Sequence, residues 1–155
     1  MLERIKRTRV PLPFRSRISF DKDWSFYLGN ETQAFREDFD DSAWRKLNVP
    51  HDWSIEGNFD EHADTGGAGA YLPAGIGWYR KSFELDKSEL EKRVFIEFGG
   101  IMSNSTVYVN GNCVGNRPYG YASFCYDLTD YVKAGKNVVA VKVDNHEQPS
   151  SRWYA

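Results

Sequence analysis

Apolar and polar positions alternate with a period of two along most of this chain, the pattern of strands with one buried face. It is clearest between positions 93 and 115. There Val94, Ile96 and Phe98 alternate with Phe95 and Glu97, and Val107 and Val109 share one face opposite Thr106, Tyr108 and Asn110. Asn110-Gly111 then supplies the residues that accept the two positive φ angles of a type I′ turn, so the chain should return at once through Cys113 and Val114. These strands are expected to form the centre of an antiparallel β domain.

The rest of the chain reads as partners for them. Positions 18–20 and 24–28 predict strand, turn, strand around Asp21-Lys22-Asp23. Asp40 or Asp41 is expected to cap one helical turn that tucks Trp44 inward. Leu47-Asn48-Val49 predicts a strand end halted by Pro50. In the alternating run 77–85, Trp78, Arg80, Ser82 and Glu84 fall on one face, and Tyr79, Lys81, Phe83 and Leu85 on the other. Positions 88–92 suggest one helical turn, 124–128 a strand, and 138–143 a last strand with Val139, Val141 and Val143 toward the core. Many short strands and little helical periodicity predict an all-β, antiparallel sandwich of the jelly-roll or galactose-binding-domain-like kind. Positions 1–15 read as an N-terminal arm and 16–155 as the domain.

Composition narrows the partners. A formal net charge of −2 argues against nucleic acid, which needs clustered cations, and the basic run from Arg4 to Arg9 reads as a solvated arm. No apolar run approaches the roughly 20 residues of a membrane helix, so no membrane partner is expected. Met1-Leu2 leads straight into charges with no leader pattern, which suits a cytoplasmic chain or one whose leader has been removed. Cys113 and Cys125 are expected to stay unpaired. Five Trp and nine Tyr suit a sandwich core, and equally a sugar-facing surface.

Candidate chemistry is sparse. The long irregular stretch 51–76 has the length of a functional or mobile loop. His51 and Asp52 are adjacent, so in an extended loop they point apart, and a structural cap on the preceding strand is the expected role. His62 and Asp64 with His51 have metal-ligand chemistry, but the Gly-rich run 65–70 fixes no geometry; neither a metal nor a cofactor is expected. That run also lacks the Gly-Lys-Ser/Thr ending of a phosphate loop. Nothing marks a carboxylate pair for glycoside hydrolysis, and no catalytic residue is assigned. Sugar recognition combines an aromatic platform with planar polar groups. Tyr119, Tyr121, Arg152 and Trp153 have that chemistry, although Tyr119 and Tyr121 also read as a cover for a sheet end.

Six short motifs, in order, carry a resemblance: Val49-Pro50-His51-Asp52-Trp53, Gly77-Trp78-Tyr79-Arg80-Lys81-Ser82-Phe83, Val107-Tyr108-Val109-Asn110-Gly111, Phe124-Cys125-Tyr126-Asp127-Leu128-Thr129, Val141-Lys142-Val143-Asp144-Asn145 and Ser151-Arg152-Trp153-Tyr154. Each alone is unspecific. Together, from about position 15 to the end, the chain resembles the N-terminal domain of glycoside hydrolase family 2, in the manner of β-galactosidases from Bacteroides-type bacteria. The resemblance implies a jelly-roll sugar-binding domain followed in the parent by an immunoglobulin-like domain and a (β/α)8 barrel. The acid/base and nucleophile glutamates belong to that barrel, so the chain itself is expected to be inactive. It also implies that a strand completing the domain follows Trp153-Tyr154, so that its absence would leave an open sheet edge.

In the family, two loops of this domain reach the barrel's pocket, here 71–76 and 148–153. The galactosidase pattern has an Asn in the first and an Asp in the second. This sequence has Pro73-Ala74-Gly75 and Pro149-Ser150-Ser151-Arg152 instead. Ala74, Gly75, Ser151, Arg152 and Trp153 are thus the expected substrate-side residues, with Arg152 suited to an acidic sugar. The resemblance implies hydrolysis of terminal β-linked galactose by the parent, with β-glucuronidases and β-mannosidases sharing the domain. The implied partners are carbohydrate, the remaining domains of the same polypeptide and, through exposed aromatics, further copies of the chain. A periplasmic or secreted parent is expected. A free-standing carbohydrate-binding module is the alternative, and a small hydrolase the third reading.

Overall fold

The computed structural model describes residues 16–63 and 65–146. The N-terminal arm, Asp64 and the tail from 147 onward, with Ser151, Arg152 and Trp153, lie outside the described residues. Eight strands carry the described fold: β1 (Trp24–Leu28), β2 (Arg45–Leu47), β3 (Ile76–Leu85), β4 (Phe95–Phe98), β5 (Ser105–Val109), β6 (Asn112–Arg117), β7 (Phe124–Asp127) and β8 (Gly135–Asp144). Six form one antiparallel sheet in the order β2-β1-β3-β8-β5-β6, and β4 and β7 pair as a second sheet. This is the expected all-β antiparallel architecture.

The valines explain the centre. Val139, Val141 and Val143 of β8 and Val107 and Val109 of β5 point to one face, where Ile96 and Phe98 of β4 and Tyr126 of β7 close over them. The β5–β6 hairpin turns through Asn110 and Gly111, with φ of 49° and 83°, as their sequence requires. Asn110 also fastens the hairpin to its neighbours. Its Nδ2 donates to the Tyr131 carbonyl at 2.9 Å and to Asn137 Oδ1 at 2.8 Å, and its Oδ1 accepts from the Val138 amide at 2.9 Å.

The larger sheet is covered on its other face too. Trp78, Ala140 and Tyr108 pack there against Ala34, Phe35 and Trp44 from the segment between β1 and β2. The expected alternation in β3 is therefore observed, with both faces buried around Trp78, Tyr79 and Arg80.

Three local expectations fail, each because a side chain satisfies the backbone first. Residues 18–20 form no strand; the Trp24 indole N–H donates to the Phe20 carbonyl at 2.8 Å, and the Phe20 ring meets Trp24 and Phe83 edge-on. The segment 40–44 is a turn, not a helical turn, with Asp40 Oδ1 accepting the Ser42 amide at 3.0 Å. Trp44 is nonetheless tucked in, half-buried on the outer face of the large sheet beside Trp78 and Ala140, and stacks on Tyr27 at 5.3 Å. Positions 88–92 are likewise turns, begun by Asp86 Oδ1, which accepts from the Glu89 amide at 3.0 Å.

Candidate functional site

The loop entering β3 and the chain leaving β8 meet because Ile76 and Asp144 are partners at the end of the β3–β8 ladder. Just beyond that pair, the Gly75 amide donates to Asn145 Oδ1 at 2.7 Å, and the Asn145 amide donates to the Gly75 carbonyl at 3.1 Å. The Asp144 amide donates to the Ser103 carbonyl at 3.1 Å, and Asn104 Nδ2 to the Asp144 carbonyl at 3.2 Å. Gly29, after β1, donates to the Ile76 carbonyl at 2.7 Å. Four segments are thus gathered at one end of the large sheet. Gly75 is buried there and Ala74 half-buried.

The stretch 51–76 is anchored at its start. His51, its side chain only 9% exposed, sets Nδ1 2.7 Å from the Tyr79 hydroxyl. Its Nε2 lies 2.8 Å from Arg45 Nη2 and 3.2 Å from Glu56 Oε1. Arg45 Nη2 also donates to both Glu56 oxygens, at 3.0 and 2.9 Å. The Arg45 hydrogen bond holds the Glu56 carboxyl below the usual carboxylate range, and burial pushes the Tyr79 hydroxyl up. His51 is therefore structural, but it does not cap the strand as the sequence suggested; it joins β2, β3 and the 3-10 turn Ser54–Glu56 through side chains. Arg45 and Glu56, eleven positions apart, escaped sequence reasoning because nothing in an irregular loop predicts which carboxylate faces a strand residue.

Trp53 lies beside this network, stacked on Phe26 at 5.9 Å. Gly77 is what lets it lie there: a Cβ at 77 would come within 2.7 Å of the Trp53 ring. Farther along the loop, Ser54 Oγ donates to the Pro73 carbonyl at 2.9 Å and Thr65 Oγ1 to the Leu72 carbonyl at 2.7 Å, folding its end back on its beginning. His62 sets Nδ1 3.3 Å from Asp60 Oδ1 and shares none of the partners of His51. Among the described residues no group of three or more His, Cys, Asp or Glu is gathered as a metal site. Cys113 and Cys125 are unpaired and exposed, as expected. Tyr119 and Tyr121 lie beyond β6 with rings 5.9 Å apart, 44% and 61% exposed.

Two hollows flank the loop. One, about 510 Å³, is lined by Phe59, Asp60, Glu61, His62 and Tyr71. The other, about 450 Å³, runs along the edge of β1 between Tyr27, Trp44, Arg45, Trp53, Glu56 and Pro73. Paired, hydrogen-bonded charges beside aromatic rings are suited to holding a polar ligand.

A family model described as "Glycosyl hydrolases family 2, sugar binding domain" matches residues 18–153. Over 142 residues, 91% of the chain, the sequence is 52% identical to "Beta-galactosidase BoGH2A" of Bacteroides ovatus. It is 49% identical over 140 residues to a "Putative beta-glucuronidase" of Formosa agariphila. The chain spans 17% and 14% of those two curated relatives. Among solved structures, a β-glycosidase from Bacteroides vulgatus superposes with a TM-score of 0.79 at 49% identity, over 82% of this chain and 17% of that one.

Proposed function

The chain belongs to glycosyl hydrolase family 2, whose sugar-binding domain it is, and on that premise we propose that it is the non-catalytic N-terminal domain of a β-galactosidase. Its role is to support the catalytic barrel and to form one wall of the pocket that holds a terminal β-linked galactose. The observation that carries this reading is the pair of hydrogen bonds between Gly75 and Asn145. They fix the first of the two loops that the family resemblance sends toward the pocket against the chain leaving β8, which runs on in sequence to the second. Ala74 and Gly75 on the first loop, and Ser151, Arg152 and Trp153 on the second, are the proposed substrate-side residues.

Galactose is preferred to glucuronate for two reasons. The name of the 52% identical relative supports it. So does the polarity of the described end: Ser103, Asn104 and Asn145 are neutral, and Lys142 sits 3.7 Å from Asp144. Such groups suit neutral hydroxyls better than a carboxylate. The test is to express the gene at full genomic length and assay aryl β-galactoside and aryl β-glucuronide beside the 155-residue chain. Turnover of the galactoside by the long protein alone is expected. Turnover by the short chain overturns the non-catalytic role, and preference for the glucuronide overturns the substrate.

A further inference from the structure

A groove runs along β1 and adjoins the Gly75–Asn145 end, with Leu28 and Pro73 in its lining. β2 pairs only with Trp24, Ser25 and Phe26, so the edge of β1 is uncovered at Tyr27 and Leu28, which are 42% and 51% exposed. The Tyr27 ring is backed by Trp44, nearly parallel at 22°, and Phe39 supports Trp44 from 5.4 Å. One aromatic surface is therefore held open toward solvent from a braced position.

Beside it the Arg45–Glu56 pair is also fixed. Its two hydrogen bonds to the carboxylate, and the contacts of both groups with His51, hold planar donors and acceptors in one orientation, with Arg45 51% and Glu56 45% exposed. Trp53 closes the groove's inner wall. Trp53 is 6% exposed, and its indole N–H finds no acceptor among the described residues.

We infer that this groove, bounded by Tyr27, Trp44, Arg45, Trp53 and Glu56, binds a neutral hexopyranoside, with the ring's C–H face on Tyr27 and its hydroxyls on the Arg45–Glu56 pair. Its 450 Å³ falls within the roughly 300–1,000 Å³ of small-ligand clefts. The neutral class follows from the charges: Arg45 is already matched by Glu56, so the groove offers no spare cation to a uronate.

The test uses the 155-residue chain. Amide and indole NMR signals are followed while methyl β-galactoside, methyl β-glucoside, cellobiose and methyl β-glucuronide are added. Saturable shifts centred on Trp44 and Trp53 are expected with the neutral sugars. Tyr27→Ala should weaken binding about ten-fold, the loss of one aromatic stacking partner. Glu56→Gln should weaken it several-fold, and Tyr121→Ala should leave it unchanged. Tyr27 is exposed, so its truncation spares the core, and an unchanged amide spectrum elsewhere confirms the fold. Four results overturn the inference: no saturation at tens of millimolar sugar, tighter binding of the glucuronide, indifference to Tyr27→Ala, or shifts that follow protein concentration instead of sugar. The last would mark the groove as a contact between copies of the chain.

Discussion

Arg80 Nε donates to Asp41 Oδ2 at 3.3 Å from beneath the segment that covers the outer face of the large sheet. The guanidinium, 2% exposed, also donates to the Ala34 carbonyl, to the Arg36 carbonyl at 3.0 Å and to the Phe39 carbonyl at 3.2 Å. One side chain thus gathers a strandless segment into a fixed layer. Arg80→Met keeps the bulk but leaves Asp41 and three carbonyls without their donor. It is expected to cost about 3–5 kcal/mol in urea unfolding. Arg80→Lys should recover only part of that, because an ammonium cannot reproduce the fork of donors. Equal stability of Arg80→Met and the parent chain would show that the layer stands without the arginine.

The Gly75–Asn145 pair allows a finer test. Asn145→Ala leaves the Gly75 amide without its acceptor and should cost about 1–2 kcal/mol. Asn145→Asp keeps an acceptor oxygen and should stay near the parent. In the full-length protein, Asn145→Ala should raise KM more than it lowers kcat, since it loosens a pocket wall and touches no reacting atom. A loss confined to kcat would contradict the positioning role.

These two sites show what a sequence displays. The β5–β6 hairpin was legible because its signal, Asn110-Gly111, is local, and the face of each β3 residue was legible because alternation is local. The pairing of β4 with β7 was not, since about thirty residues separate them and an alternating pattern does not name its partner. The face of Arg80 followed from the alternation, but its acceptors are main-chain carbonyls, which no residue type announces. At the candidate site, Gly75 was singled out by motif position, whereas its partner Asn145 was quoted as part of a motif without a role. The Arg45–Glu56–His51–Tyr79 network was missed because it forms only once an irregular loop closes over a strand.

That network has an alkaline signature. Burial raises the pKa of the Tyr79 hydroxyl above its ordinary value, so the folded chain holds that proton more tightly than the unfolded chain. Stability from this source is intact below the unfolded value of about 10 and is lost as pH rises beyond it. Tyr79→Phe should cost about 1 kcal/mol at neutral pH, through the lost contact with His51. It should also flatten the decline of stability above pH 10. Parallel pH profiles for the two proteins would place the alkaline loss elsewhere.

The acid side is governed differently. Asp127 Oδ1 accepts from the Thr129 hydroxyl at 2.5 Å and from the Thr129 amide at 3.0 Å, and Oδ2 accepts from Arg93. These bonds favour the carboxylate and pull its pKa down to about 2, the Thr129 hydroxyl contributing most. Because the folded value is depressed, the contribution is fully present above the unfolded value of about 3.9 and disappears as pH falls toward 2. Thr129→Val removes the hydroxyl and keeps the shape. It should raise the Asp127 pKa seen by carboxyl NMR and make the loss of stability between pH 4 and 2 shallower. Arg93→Met should shift that pKa less, because Arg93 lies 72% exposed to screening solvent, whereas the Thr129 hydroxyl donates to the carboxylate within the turn. If Arg93→Met moved it more, the ion pair and not the turn would be what holds the end of β7 in acid.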